Sequence, residues 1–206
     1  MSSSRSTGVT VLVIENCEEK PTDWLLAEYS HSASLWPGTV FTGARDSEMN
    51  AALAKMGKTV KEDVLEYTGG EGCIILDHQS PLALKTEDFE RARFIVVGGI
   101  LGYDRPMGRT KKFITSRFGE GKNVFRNLGK IQLTIDSAVF VARAIYLGAK
   151  IEEIELTSEV EIKWDEVHST LLPYGYPVVG GKVLITPGLI EILRNGFAQG
   201  NTGRPF

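Results

Sequence analysis

The chain has 206 residues, of which 42% are hydrophobic and 24% charged, the profile of an ordinary folded chain long enough for one α/β core. No apolar run approaches the ~20 residues of a membrane-spanning helix, and a net charge of −3 argues against a domain built to grip phosphate backbones. Two cysteines and three histidines are too few and too scattered for any metal-ligand spacing, and Cys17 and Cys73 read as buried free thiols of a cytoplasmic protein.

In chain order, residues 1–8 are polar and read as a disordered leader. A first strand is expected over 9–15. Pro21-Thr22-Asp23 is a helix-start signal, followed by Trp24, Leu25, Ala27 and Tyr29. A second strand is expected over 39–42, then helices over 47–56 and 61–67 and a glycine turn over 69–72. Residues 73–76, Cys-Ile-Ile-Leu, form a short apolar strand that ends in the polar loop 77–81. A short helix is expected over 86–92 and a strand over 94–97, stopping at Gly98-Gly99-Ile100-Leu101-Gly102. A cationic helix follows over 109–118, then a strand over 123–127. The segment Leu128-Gly129-Lys130-Ile131-Gln132-Leu133-Thr134 runs into a helix over 134–146, whose Ile135, Ala138, Val139, Ala142 and Ile145 share one face. Gly148 caps it. Residues 154–164 read as strand or irregular, 178–184 as a hairpin around Gly180-Gly181, 187–194 as a last short helix, and 195–206 as a loose tail. One α/β domain over 9–194 follows, mainly a parallel sheet with helices on both faces.

Two glycine-bearing loops stand about 30 residues apart, the length of one strand–helix unit. Loops at the carboxyl ends of parallel strands form ligand crevices, and glycine lets a ligand approach the main chain. Neither loop fits the dinucleotide or P-loop pattern. A nucleotide-like ligand held mainly by backbone groups is therefore expected. Basic residues crowd the stretch from Arg105 to Lys130. They read either as a solvated helix face or as a surface for RNA or another anionic partner.

The order strand, Gly-Gly-Ile-Leu-Gly loop, Arg-Thr-Lys helix, then Leu-Gly-x-x-Gln-x-Thr-x-Asp-x-Ala resembles the SPOUT superfamily of S-adenosylmethionine methyltransferases. It is most similar to the branch of fungal SPOUT-type protein arginine methyltransferases that act on a small-subunit ribosomal protein. Ile14-Glu15-x-x-Glu18-Glu19 with Trp24, Glu28, Tyr29 and Ser30 looks shared as well. The resemblance implies a carboxyl-terminal trefoil knot and S-adenosylmethionine as cofactor, bent among three loops. In this chain those loops are 76–81, 98–104 and 128–134, and they supply Leu76 and Asp77; Gly98, Gly99, Ile100 and Gly102; and Leu128, Gly129, Gln132, Leu133 and Thr134. Two departures bear on substrate choice: Tyr103 follows Gly102 where an acidic residue is expected, and Ile131 stands where a lysine precedes the glutamine.

A guanidinium stays protonated at neutral pH, so arginine methylation needs a carboxylate to hold the planar cation and accept a proton. Glu15, Glu18, Glu19 and Asp104 are the candidate catalytic carboxylates. Trp24, Glu28, Arg105 and Asp136 are candidates for substrate binding, Trp24 by stacking. Trp24 also reads as core, and Asp136 as a helix cap. The expected partner is a ribosomal protein or ribosomal subunit, with no membrane partner. The alternatives are an RNA base methyltransferase and a non-catalytic module that binds RNA or the ribosome. Monomer and homodimer both stay open.

Overall fold

The computed structural model describes residues 9–102 and 108–198, and no side chain beyond residue 196. Strand β1 (Val11–Asn16) leads to helix α1 (Asp23–Leu35), β2 (Val40–Thr42), α2 (Ser47–Leu53), β3 (Lys58–Thr59), α3 (Val64–Thr68) and β4 (Cys73–Leu76). A 3₁₀ turn (Thr86–Glu90) precedes β5 (Phe94–Gly99) and α4 (Arg109–Phe113). Then come β6 (Val124–Arg126), α5 (Ile135–Tyr146), β7 (Leu156–Thr157), β8 (Val160–Lys163), β9 (Ser169–Leu172), β10 (Tyr176–Val179), β11 (Lys182–Val183) and α6 (Leu189–Ala198).

The main sheet has the order β3-β2-β1-β5-β4-β6, and every pairing in it is parallel. A parallel sheet is stable when both faces are covered. Here Leu12, Ile14, Ile95 and Val97 turn towards a large core shared with Leu25 and Tyr29 of α1 and Val139 and Ala142 of α5. Val13, Ile75 and Val96 pack on the other face with Val64, Ile114 and Phe118. The expected α/β class, with helices on both faces of a mainly parallel sheet, is the observed one.

Side-chain caps explain most helix starts. Thr22, Asp46, Asp63 and Thr134 each accept a hydrogen bond from a first-turn amide of α1, α2, α3 and α5. The chain after α5 builds smaller antiparallel pieces, β11-β10-β7 and β8-β9. Gly180 and Gly181, at φ +58° and +75°, turn the β10–β11 hairpin as expected.

Four expectations change. The fifth strand does not stop at Val97 but runs through Gly98 and Gly99, which stand opposite Glu15 and Asn16 of β1; ladder pairing overrides the weak strand preference of glycine. The helix expected over 109–118 breaks at Ile114, which is buried, and a 3₁₀ turn follows over Thr115–Arg117. There the Thr115 hydroxyl donates to Asp77 Oδ2 at 2.7 Å, a contact that a continuous helix would have to satisfy in another geometry. The last helix continues four residues past the expected domain end at 194, through Asn195 and Gly196 to Ala198. One glycine costs a helix only ~1 kcal/mol. Strands β3 and β9, which carry no strong periodicity, are additions to the expected elements. The leader 1–8 and most of the tail lie outside the described residues.

Candidate active site

The loops that follow β5, β4 and β6, three neighbouring strands, meet at the carboxyl edge of the sheet and enclose a pocket of about 960 Å³ including its open mouth. The β4 loop contributes Leu76, Asp77, His78 and Gln79. From β5 come Val97, Gly98, Ile100, Leu101 and Gly102, and from the start of α4 come Gly108, Arg109 and Thr110. The segment entering α5 supplies Leu128, Ile131, Gln132, Leu133, Thr134, Ile135 and Ala138. Aliphatic walls with a few polar groups would suit a flat heterocycle carrying a polar tail.

Several contacts set the shape of the β5 loop. The Glu18 carboxylate accepts from Leu101 N and from Arg109 Nη1, both at 3.0 Å, through the same Oε1. Arg109 also donates to Leu101 O at 3.4 Å. In the β4 loop, Asp77 is buried and accepts from Gln79 N and from Thr115. Its carboxylate braces that loop.

A model of the SFM1-like family, described as protein arginine N-methyltransferase SFM1-like, matches residues 11–200. The chain belongs to the SFM1-like family. It is 25% identical over 205 residues to the protein arginine N-methyltransferase SFM1 of Saccharomyces cerevisiae, covering 91% of this chain and 95% of that protein. The crystal structure of yeast SFM1 complexed with SAM superposes with a TM-score of 0.82 at 24% identity, covering 92% of each chain. The dual specific Trm10 of Thermococcus kodakaraensis shares the fold more distantly, with a TM-score of 0.52 at 14% identity over 69% of this chain and 96% of that one.

In this SFM1-like chain, nine of the eleven residues expected around the cofactor line the pocket, and Gly99 and Gly129 do not. Gly99 faces α1, where a Cβ would lie 2.0 Å from the Tyr29 hydroxyl, outside the pocket wall. Gly129 takes φ +100° with nothing near an added Cβ, so it serves the turn. The pocket also takes in His78, Gln79, Leu101 and Ile131, which belong to the three expected loops without being singled out in them, and Val97, Gly108, Arg109, Thr110, Ile135 and Ala138, which lie outside those loops. Loop membership is the signal that could have found His78, Gln79 and Ile131.

The expected carboxylates separate. Glu15 is buried on the sheet face away from α1, accepting from the Thr42 hydroxyl and from Val64 N at 2.9 Å. It fills the first free amide of α3, so it is not an open substrate-holding group. Burial pushes its pKa up, against the lowering effect of those two hydrogen bonds. Glu28 repeats the device: Oε2 accepts from Ile135 N at the start of α5 at 2.8 Å, and Oε1 from Trp24 Nε1 at 2.6 Å. Asp136 is buried beside it, lies 2.7 Å from His31 Nδ1 in a hydrogen bond, and accepts from Thr186, Thr134 and Ser137 N. Trp24, Glu28 and Asp136 therefore join α1 to α5 instead of meeting a substrate. Glu18 holds the β5 loop and Glu19 is exposed beside it. Asp104 and Arg105 lie outside the described residues.

Four of the seven described basic residues of the stretch are paired. Arg109 meets Glu18, Arg117 meets Asp63, Lys122 meets Glu71, and Arg126 meets Asp88 through two nitrogens. Lys111, Lys112 and Lys130 are exposed.

Burial, then the charge of Asp136, pushes Glu28 up to about 8, outweighing the hydrogen bonds from Trp24 and Ile135. The folded chain then holds a proton that the unfolded chain releases near the ordinary value of 4.5. Stability from this group is fully present below that value and is lost as pH rises towards 8. Urea midpoints should accordingly fall between about pH 5.5 and 8. Glu28→Gln should flatten the difference, at the cost of one acceptor at all pH values. An equal slope in the variant would show that Glu28 is ionised throughout.

Proposed function

We propose that this SFM1-like chain binds S-adenosylmethionine in the three-loop pocket and methylates an arginine side chain of a protein, with a ribosomal protein as its substrate. The observation that carries the reading is the pocket itself, formed by the loops of three adjacent parallel strands in a chain of this family. Trefoil-knotted threading beneath the pocket belongs to the same reading. A cytoplasmic location does too, which the two free cysteines suit.

The residues present fit the cofactor. Leu76, Val97, Leu128 and Leu133 offer apolar walls for an adenine, and Gly98 and Gly102 bring main chain into the pocket lining. A Cβ at Gly102 would strike Tyr174 and Gln132, so that position admits only glycine without rearrangement. Gln132, Thr134 and Arg109 line the same space and would hold polar groups. Bound there, the cofactor supplies an electrophilic methyl group.

The chain's own part is to bring a guanidinium nitrogen into line and take up its proton. Of the four candidate carboxylates, Glu15 is committed to Thr42 and α3, and Glu18 to Leu101 and Arg109. Glu19, exposed next to the loop-bracing Glu18, is the described carboxylate best suited to hold a planar cation. Asp104 has the same chemistry. The RNA reading loses support because four residues of the basic stretch are occupied with carboxylates.

Two measurements test this. S-adenosylhomocysteine at ~100 times its Kd should stabilise the fold by about 2.7 kcal/mol, and an unchanged thermal melt would remove the cofactor claim. Incubation with labelled S-adenosylmethionine and separated ribosomal protein and RNA should place the label on arginine in the protein fraction. Label in the RNA fraction alone would overturn the substrate class.

A further inference from the structure

The short segment between β9 and β10 passes behind two of the three pocket loops and fastens both. We propose that Tyr174 in this segment is a positioning residue that holds the β5 loop in its ligand-binding form; the inference rests on the proposed cofactor site.

The Tyr174 hydroxyl donates to Gly102 O at 2.6 Å, and its ring is buried. The ring lies so close to the loop that a Cβ on Gly102 would stand 2.5 Å from Tyr174 Cε1. One residue later, Gly175 N donates to Gln132 O at 2.8 Å, and Gly175 forms a parallel bridge with Leu133. A Cβ on Gly175 would lie 2.6 Å from Ile131 Cγ2 and 2.8 Å from Leu133 Cδ2. Gly102, Ile131, Gln132 and Leu133 line the pocket, whereas Tyr174 and Gly175 stand outside its wall. The dipeptide thus ties the β5 loop with a side chain and the α5 approach with its backbone.

This matters because Gly102 lies in the pocket-lining loop that leaves the sheet after β5. Glu18 fixes the amide of Leu101 from one side. Tyr174 fixes the carbonyl of the next residue from another. A loop held at both points need not be ordered by the ligand, and conformational freedom given up before binding is affinity gained on binding. Phenylalanine at 174 would keep the ring contact and remove only the donor.

The test compares the full native chain with Tyr174→Phe, Gly102→Ala and the double variant, by calorimetric titration with S-adenosylhomocysteine and by ligand-free thermal melts. Tyr174→Phe should raise Kd about tenfold, the loss of one buried hydrogen bond, with stoichiometry and ligand-free midpoint nearly unchanged. A merely structural role would instead lower the midpoint and the bound fraction while leaving Kd as it was. Gly102→Ala should weaken binding further. The double variant should lose less than the product of the two single losses, because both act on one contact. An unchanged Kd in Tyr174→Phe, or losses that multiply, would overturn the positioning role. A native chain that binds no ligand would remove the cofactor reading and this inference together. Normal native binding with native-like variants would remove only the inference.

Discussion

Gly99→Ala should destabilise the fold by about 3 kcal/mol or more rather than empty the pocket. An added Cβ would lie 2.0 Å from the Tyr29 hydroxyl and 2.9 Å from the backbone oxygen of Glu15. Neither can withdraw cheaply. Tyr29 is fully buried, and its hydroxyl lies 2.9 Å from Asn16 Oδ1 and 3.3 Å from Gly99 O. The Glu15 oxygen belongs to the central strand β1. Overpacking a filled core costs ~1–3 kcal/mol, and more where backbone must move. Urea unfolding would measure the loss. A variant with native stability but no ligand binding would show that Gly99 faces the pocket after all.

The second large effect separates two neighbouring glutamates. Glu18→Ala should weaken S-adenosylhomocysteine binding about 30–150-fold, from ~2–3 kcal/mol for a charge-assisted contact shared by Leu101 N and Arg109. Glu18→Gln keeps an acceptor oxygen for Leu101 and should lose less. Glu19→Gln should leave ligand affinity alone and slow methyl transfer by a comparable factor, if it holds the acceptor cation. Titration and single-turnover transfer, run on both variants, give opposite patterns under this assignment. Full transfer activity in Glu19→Gln would pass the role to Asp104.

Glu15 and Glu28 show how a glutamate escapes a reading of local sequence. Both read as candidates because a carboxylate at the end of a strand, or beside Trp24 and Tyr29, suits a guanidinium. Their partners are the first amides of helices that begin 49 and 107 residues later. No local pattern reveals such pairs. Buried helix amides need an acceptor, and a carboxyl oxygen supplies one. Gly99 is more legible. Side chains alternate along a strand, so once β5 is drawn through Gly99, Gly98 and Gly99 must face opposite sides.

Apolar runs, cap side chains and glycines are local signals, and they were enough for the alternation of strands and helices, most of the capped helix starts, and the two glycine-bearing loops that a ligand could approach. The resemblance carried in those loops led to the family. Packing in three dimensions was needed to settle which residues turn towards the pocket and which are used up elsewhere. It placed Glu18 on the β5 loop, drew Asp136 to His31 and Thr186, and brought Tyr174 against Gly102 from a distant part of the chain. A polar side chain takes whatever partner burial brings to it, and burial is set by how the sheet and helices pack.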